Sequence, residues 1–559
     1  VRRADPQAAG ELGRALGVSA TLAQVLLHRG FSSGAEELSR ARDFLSPKLA
    51  DLSPPDAMLD RALAADRLAR AVRTGERIAV FGDYDVDGTT SAAILADVLE
   101  ALGGSVVALV ASRFSGGYGF SEEALARVLD TGATLLVTCD CGSSDHPRIA
   151  AARSKGIDVL VVDHHLVPAE PLPALAFLNP NRPECGFAYK HLTSAGLAFF
   201  LGAAVRSALG KKLDLRPWLD LVALGTIADV APLDGDNRRL VRAGLAQLSQ
   251  ANARPGIVAL RDVARVRAGT ALGAIDVAFK LAPRLNAAGR LGDPTITLEL
   301  LRARTPEVAR ALAATIDGLN EQRKQVERTV TEAAIAQVLE VYGERPSAGI
   351  VVAGEGWHRG VVGITAARLV ERFGVPVVVV GIDEGVGHGS CRAPDGFRLF
   401  DAVSACASVL ERFGGHQAAA GLTVRAPRVE RLRASFDDAV RAVSALHGVT
   451  QIEAPVDVAL DGSTFGVPPA RELAMLEPLG AGNEAPVFAL RGVQVVRASV
   501  VKERHLKLSL RCGRTPIEAF GFDLAHRVGA AHGTLDLVGS LQPDTWRGGD
   551  AVELRITEL

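Results

Sequence analysis

The chain has 559 residues, a net charge of −2 and 48% hydrophobic residues, which excludes a disordered chain and exceeds what one core can hold, so roughly three or four domains are expected. That charge balance creates no global field for nucleic acid, although a cluster of acids masks a basic groove elsewhere in such a sum. Six cysteines without a CxxC pair fit reduced thiols of a cytoplasmic protein, the N-terminus is too polar for a signal peptide, and the most apolar stretch (192–210) contains Arg206 and reads as a buried helix rather than a membrane span.

Residues 1–75 read as an N-terminal helical segment, clearest over 60–75. From 77 onward apolar strands alternate with helices: "RIAVFGDYD" (77–85), "SVVALVAS" (105–112), "TLLVTCD" (134–140) and "DVLVVDHH" (158–165). Strands apolar throughout predict a parallel sheet covered on both faces, with ligands beyond the carboxyl ends of the strands. Acids and imidazoles collect at those ends. Asp83 and Asp85 close the first run, Asp140 the third, and Asp163, His164 and His165 the fourth, while Asp229 follows another apolar run in "LVALGTIADVAPL" (221–233). Asp87 adds a third acid at the start of the first helix. One capping aspartate would satisfy that helix, so the crowding points to a divalent cation.

Residues 305–342 form a long helical pattern opened by a Thr-Pro cap and read as a strut between two halves. After about 446 the chain turns to short strands, five of which fit an OB-fold (446–559). Arg491, Arg497, Lys502, Arg504, Lys507, Arg511 and Arg514 gather there and predict a groove that follows a phosphate backbone. The nearby aromatics Phe520, Phe522 and Trp546 are assigned to the barrel core.

"GDYDVDGTTS", "TCDCG", "VVDHH" and "GTIADVAPL" in this order resemble the four motifs of the DHH phosphoesterase superfamily, and "GHGSCRAPDGFRLFDAV" and "FGGHQAAAGLTV" resemble its DHH-associated domain. "SRFSGGYGF", "NPNRP" and "PRLNAAGRLGDP" are similar to the branch of bacterial single-strand-specific 5′→3′ DNA exonucleases. The resemblance implies an α/β architecture with a parallel-sheet DHH domain (76–304), the connecting helix (305–342), a DHH-associated domain (343–445) and the OB-fold. Other branches carry a histidine where this chain has Phe81, and the branch resembled here implies Asp83 as the substitute ligand. The pair Arg392-Ala393 keeps the family's arginine but not the hydroxyl that often follows it.

The oxygen-rich donor set with one or two imidazoles suits Mn²⁺ or Mg²⁺, and its size implies two ions per site. Asp83, Asp85, Asp87, Asp140, His164 and Asp229 are the expected ligands. Asp163 is either a further ligand or the group that orients an imidazole, and His165 is the expected general acid or phosphate contact. Arg113, Arg284, Asn286, Arg290, Ser390, Arg392, Gly415, His416 and Gln417 are expected at the substrate, with Lys502, Arg504 and Lys507 on the barrel. The family places the terminal 5′ phosphate near Arg392 and His416. The resemblance thus implies a monomeric, metal-dependent exonuclease releasing mononucleotides from single-stranded DNA with a 5′ end in repair and recombination. A helicase and a single-strand-binding protein are the implied partners. A phosphodiesterase on short oligoribonucleotides or cyclic dinucleotides, and a non-catalytic DNA-binding scaffold, are the competing readings.

Overall fold

The computed structural model describes the chain apart from residues 116, 268, 347, 416, 448–454, 462, 463, 514 and 545. Strands β1 (Arg77–Gly82), β2 (Ser105–Val110), β3 (Leu135–Cys139), β4 (Asp158–Val162) and β5 (Ala176–Leu178) form a parallel sheet in the order β2-β1-β3-β4-β5. Ile78, Val80, Leu135 and Val137 enter a core on one face, and Ala79, Phe81, Leu136 and Val161 enter a core on the other. This double burial is why the strands read as unbroken apolar runs. The chain leaves β1 to one side for β2 and crosses to the other for β3, so winding reverses between β1 and β3. A crevice opens beyond the carboxyl ends of those two strands.

The apolar stretch at 192–210 is the buried helix Ser194–Ala208. Among the described residues no helix is long and apolar enough to cross a membrane. The run ahead of Asp229, grouped with the sheet strands in the sequence, is instead the helix Leu219–Ala228. All but its last residue are buried, so no polar stripe marks its helical period.

The helix Pro306–Tyr342 opens with Thr305 Oγ1 accepting the Val308 N–H. Its Ala309, Ala313 and Ile316 belong to the core of the first sheet, and Ala334 and Val338 to that of a second domain. There, β6 (Ile350–Glu355), β7 (Val377–Asp383), β8 (Val386–Arg392), β9 (Arg412–Gly415) and β10 (Ala419–Arg425) form a mixed sheet in the order β6-β7-β8-β10-β9. The third domain adds β11 (Val458–Leu460) to a closed barrel of β12 (Val487–Val501), β13 (His505–Cys512), β14 (Thr515–Gly521), β15 (Thr534–Pro543) and β16 (Val552–Glu558).

The expected single N-terminal segment is divided. The helix Arg61–Thr74 buries Ala64, Leu68 and Ala71 in the core of the first sheet, whereas Leu12, Leu22 and Leu26 of the preceding helices share a core with the barrel. Ser19 N–H and Oγ both donate to the Glu472 carboxylate. Arg238, 2% exposed, joins the parts: its guanidinium lies 3.9 Å from the Phe44 ring and donates to the carbonyls of Phe44, Met475, Leu476, Glu477 and Pro478.

Candidate active site

Asp83 is the first residue past β1. Its Oδ1 accepts the Gly119 N–H at 3.2 Å, while its Oδ2 is buried without a hydrogen-bond partner. Asp85 caps the helix Val86–Ala101 through the Gly88 N–H at 3.0 Å, so the residue expected as a metal ligand is also the helix cap. Asp87 receives the Ser194 and Ala195 N–H groups at 2.8 and 3.1 Å, from the start of the buried helix Ser194–Ala208. The helix Leu219–Ala228 approaches because position 225 is glycine; a Cβ there would lie 2.6 Å from Asp87 Oδ1. Asp140 turns beyond β3 at φ 62°, a region aspartate tolerates better than most residues, and accepts the Ser194 hydroxyl at 3.1 Å.

His164 Nε2 stands among these carboxylates, 3.2 Å from Asp140 Oδ1, 3.7 Å from Asp229 Oδ2 and 3.9 Å from Asp87 Oδ2. It is buried and makes no hydrogen bond. Asp163 is occupied by its own turn: Oδ1 accepts the N–H groups of His164 and His165 and the His165 ring nitrogen Nδ1 at 2.7 Å, and Oδ2 accepts the Ser143 N–H. Of the two roles expected for Asp163, these bonds fit the orienting one and count against direct metal ligation. His165 Nδ1 also lies 3.9 Å from Asp140 Oδ1, which brings this residue, expected only as an acid or phosphate contact, into the donor cluster as well.

Burial, reinforced by neighbouring carboxylates, raises Asp83, Asp87, Asp140 and Asp229. Asp87 is lifted to about 7 by burial and Asp85, and Asp229 to about 8 by burial, Asp87 and Asp85. Asp83 and Asp140 are raised well above the ordinary range by burial and then by Asp85. Burial and His165 push His164 down to about 4, the neutral form that ligates metal. Burial opposes a charge on His165, but its bond to Asp163 prevails and lifts it to about 9. The same pair offsets the burial of Asp163 and holds it well below the usual carboxylate range. A neutral buried imidazole nitrogen and a buried Asp83 oxygen, both unpartnered amid repelling acids, fit a hard divalent cation.

Asp229 caps the helix Leu219–Ala228, and the left-handed residue after it is Val230. Val230 N–H returns to Ile227 O and Ala231 N–H to Thr226 O, at 3.2 and 3.3 Å. Glycine normally fills that place, and a side chain there costs about 1–2 kcal/mol.

Asp83, Asp85, Asp87 and Asp229, with His165, line a cleft of about 1320 Å³. Asn286, Arg290, Ser390, Arg392 and Gly415 line it too, as does Arg113, whose guanidinium stacks 4.5 Å from the Tyr84 ring. Arg113, Arg290 and Arg392 have no carboxylate partner among the described residues. Burial lowers Arg290 to about 10, with Arg113 adding to the effect, and its guanidinium donates to Gly360 O at 3.1 Å. Arg392 donates to Ser390 Oγ at 3.1 Å, so a hydroxyl stands beside this arginine despite Ala393.

Two features escaped the sequence reading. The helix Val362–Phe373 begins at this cleft, and a Cβ at Gly363 would lie 3.0 Å from Ser390 Oγ; its free N–H groups favour an anion, and only the glycines of "GVVGITAA" hint at it. Tyr118, inside the quoted "SRFSGGYGF", places its hydroxyl 3.1 Å from His165 Nε2.

Three family models match along the chain: "DHH family, N-terminal domain" over residues 77–226, "DHHA1 domain" over 347–442 and "RecJ OB domain" over 456–558. The curated "Single-stranded-DNA-specific exonuclease RecJ" of Bacillus subtilis is 33% identical over 567 residues, covering 100% of this chain and 70% of the relative. That of Dickeya dadantii is 37% identical, covering 89% of each. The crystal structure of RecJ from Thermus thermophilus in complex with Mn²⁺ superposes with a TM-score of 0.78 at 31% identity, over 100% of this chain and 78% of that one. The chain belongs to the RecJ family. A Mg²⁺ complex of the same Thermus RecJ matches with a TM-score of 0.75, in keeping with the Mn²⁺ or Mg²⁺ that the donor set suits.

The remaining expected contacts of this RecJ-family chain divide. Arg284 is spent on packing: it pairs with Asp317 on the long helix at 2.8 Å, donates to Lys280 O, and does not line the cleft. Gln417 is exposed and outside the lining; its carbonyl accepts the Leu399 N–H. His416 and Arg514 lie outside the described residues. Lys502, Arg504 and Lys507 are exposed on the barrel, away from the cleft, where Arg504 pairs with Asp523 and Lys507 approaches Glu518 at 3.7 Å. The aromatics are not core residues. Trp546 is 92% exposed, and Phe522 (52%) and Phe520 cluster with His505 at ring distances of 4.8–5.5 Å, with Arg555 4.8 Å over Phe522. Phe520 pairs across the sheet with Lys507 and Arg555, on the face turned away from the core.

Proposed function

We propose that the chain is a metal-dependent exonuclease that shortens single-stranded DNA from its 5′ end, one mononucleotide at a time. The observation that carries this reading is a cleft lined both by carboxylates of the acid–imidazole cluster and by arginines without carboxylate partners among the described residues. Asp83, Asp85, Asp87, Asp140, His164 and Asp229 would hold two Mn²⁺ or Mg²⁺ ions. Bound there, the ions would lower the pKa of water and neutralise charge on the phosphoryl oxygens.

The protein's own groups do the rest. Arg392, Ser390 and the start of the helix Val362–Phe373 hold the terminal phosphate, since guanidinium forks and free N–H groups both suit phosphate oxygens. Arg113 and Arg290 fix the phosphates that follow. Asp163 accepts from His165 Nδ1, and the charged ring's Nε2–H, which faces the Tyr118 hydroxyl, protonates the leaving oxygen as water adds to phosphorus, the P–O bond to that oxygen breaks and the water's proton passes to solvent. Phe520, Phe522 and Arg555 give unpaired bases a stacking surface on the barrel. In the cell the chain works as a cytoplasmic monomer on strands exposed by a helicase or covered by a single-strand-binding protein.

The test uses single-stranded DNA labelled at the 5′ or the 3′ end, with Mn²⁺ or with EDTA, beside Asp140→Ala. Immediate release of label from the 5′-labelled strand, only with metal and only by the wild type, is expected. A wild type that binds the strand but frees label from neither end would return the site to the scaffold reading.

A further inference from the structure

Val230 follows Asp229 with φ 58°, a region that a β-branched residue enters only where its surroundings compel it. Both flanks supply the compulsion. On one side are the helix-closing bonds to Ile227 and Thr226 described above. On the other, Leu233 N–H donates to Ala481 O at 2.7 Å and Asn237 Nδ2 to Pro232 O at 3.0 Å, while Arg238 grips the neighbouring carbonyls of 475–478. The turn cannot relax without undoing the junction between the catalytic domain and the barrel.

Nothing in the fold rewards the valine. Its side chain is 70% exposed, and glycine would adopt the same backbone without strain. The isopropyl group instead borders the cleft, adjacent to Asp229 and in the same lining as Tyr118 and Arg290. We propose that Val230 is a substrate-contact residue: the strained turn holds its isopropyl group against the apolar surface of a nucleoside in the bound strand, beside the phosphate at the acid cluster. This inference rests on the function proposed above and extends it to a residue that is neither a metal donor nor a phosphate contact. It also accounts for why a position suited to glycine carries a side chain.

The experiment compares the full-length wild type, Val230→Gly and Val230→Ala in three measurements. These are the thermal midpoint, Mn²⁺ binding followed by electron paramagnetic resonance of the free ion, and kcat and KM on a 5′-phosphorylated oligothymidylate. Val230→Gly is expected to melt at or above the wild-type temperature and to bind Mn²⁺ unchanged. Its KM should rise about tenfold, the range for losing a small apolar contact, with kcat altered by less than about twofold. Val230→Ala keeps the strain without the isopropyl group, so it should share the raised KM and melt below Val230→Gly. Unchanged KM in both variants overturns the proposal, as does a glycine variant that melts below wild type. A fall in Mn²⁺ affinity that matches the loss of activity also overturns it, because the turn would then serve Asp229 rather than the strand. A wild type that cleaves no single-stranded DNA defeats the functional reading itself, a result distinct from these.

Discussion

His164 Nε2 lies 3.2 Å from Asp140 Oδ1, yet the two are misaligned and make no hydrogen bond. A ring nitrogen without a hydrogen-bond partner and a carboxylate oxygen are buried side by side, an arrangement that a cation held between them would stabilise.

Metal should therefore stabilise the fold, and more so at higher pH. Asp87 and Asp229, at about 7 and about 8, sit above their unfolded values near 4, and Asp83 and Asp140 are raised in the same direction. Between those limits the folded state binds more protons than the unfolded one, so stability falls as pH rises from about 4 to about 8. In EDTA the thermal midpoint should drop by several degrees between pH 5 and pH 8, and Mn²⁺ should remove the drop. A metal-free midpoint that climbs over this range would contradict the clustering of the acids.

Asp163→Asn should lower activity by about 10- to 100-fold, the usual consequence of losing an orienting partner. The asparagine still accepts the N–H groups of residues 164 and 165, so the fold and most Mn²⁺ binding should remain. Asp140→Ala should lose Mn²⁺ binding together with activity. Equal losses of Mn²⁺ affinity in both variants would make Asp163 a ligand after all.

The two arginines Arg284 and Arg392 should behave oppositely. Arg392→Ala removes from the cleft a half-buried cation without a carboxylate partner among the described residues, so KM for single-stranded DNA should rise at least about tenfold while the thermal midpoint holds. Arg284→Ala breaks the pair with Asp317 and should cost about 1–2 kcal/mol of stability with little change in KM. Steady-state kinetics and thermal melting on the same preparations decide between them.

On the barrel, Phe522→Ala should weaken binding of long single strands by about 1–3 kcal/mol without changing the salt dependence, because stacking releases no counterions. Arg504 and Lys507 already face Asp523 and Glu518, so removing either should alter affinity less than removing Phe522. Fluorescence anisotropy in EDTA over a salt series measures both quantities.

The sheet and its acids are legible in the sequence because burial writes a strand as an unbroken apolar run, and three of the four quoted runs end in Asp or Asp-His-His. Thr305-Pro306 marked the long helix for a similar local reason. What stayed hidden depended on partners distant in sequence. Arg284 and Arg290 stand in one glycine-containing stretch, and only the approach of Asp317 to one and of Gly360 to the other separates a packing arginine from one that lines the cleft. Phe520 and Phe522 look like core residues by composition, but the register opposite Lys507 and Arg555 turns Phe520 outward. The strain at Val230 is equally silent, since "DVAPL" carries no glycine to announce a left-handed turn.

The shared core of the first helices and the barrel bears on how the chain is made. Ser19 meets Glu472 across 453 residues, so the hydrophobic faces of Leu12, Leu22 and Leu26 leave the ribosome long before the barrel that covers them has been synthesised. Domain-by-domain folding during synthesis can complete the DHH and DHH-associated domains in turn, but the helices ahead of residue 60 and the barrel must find each other last. Throughout that interval the apolar faces of Leu12, Leu22 and Leu26 lack the barrel residues that bury them in the folded chain.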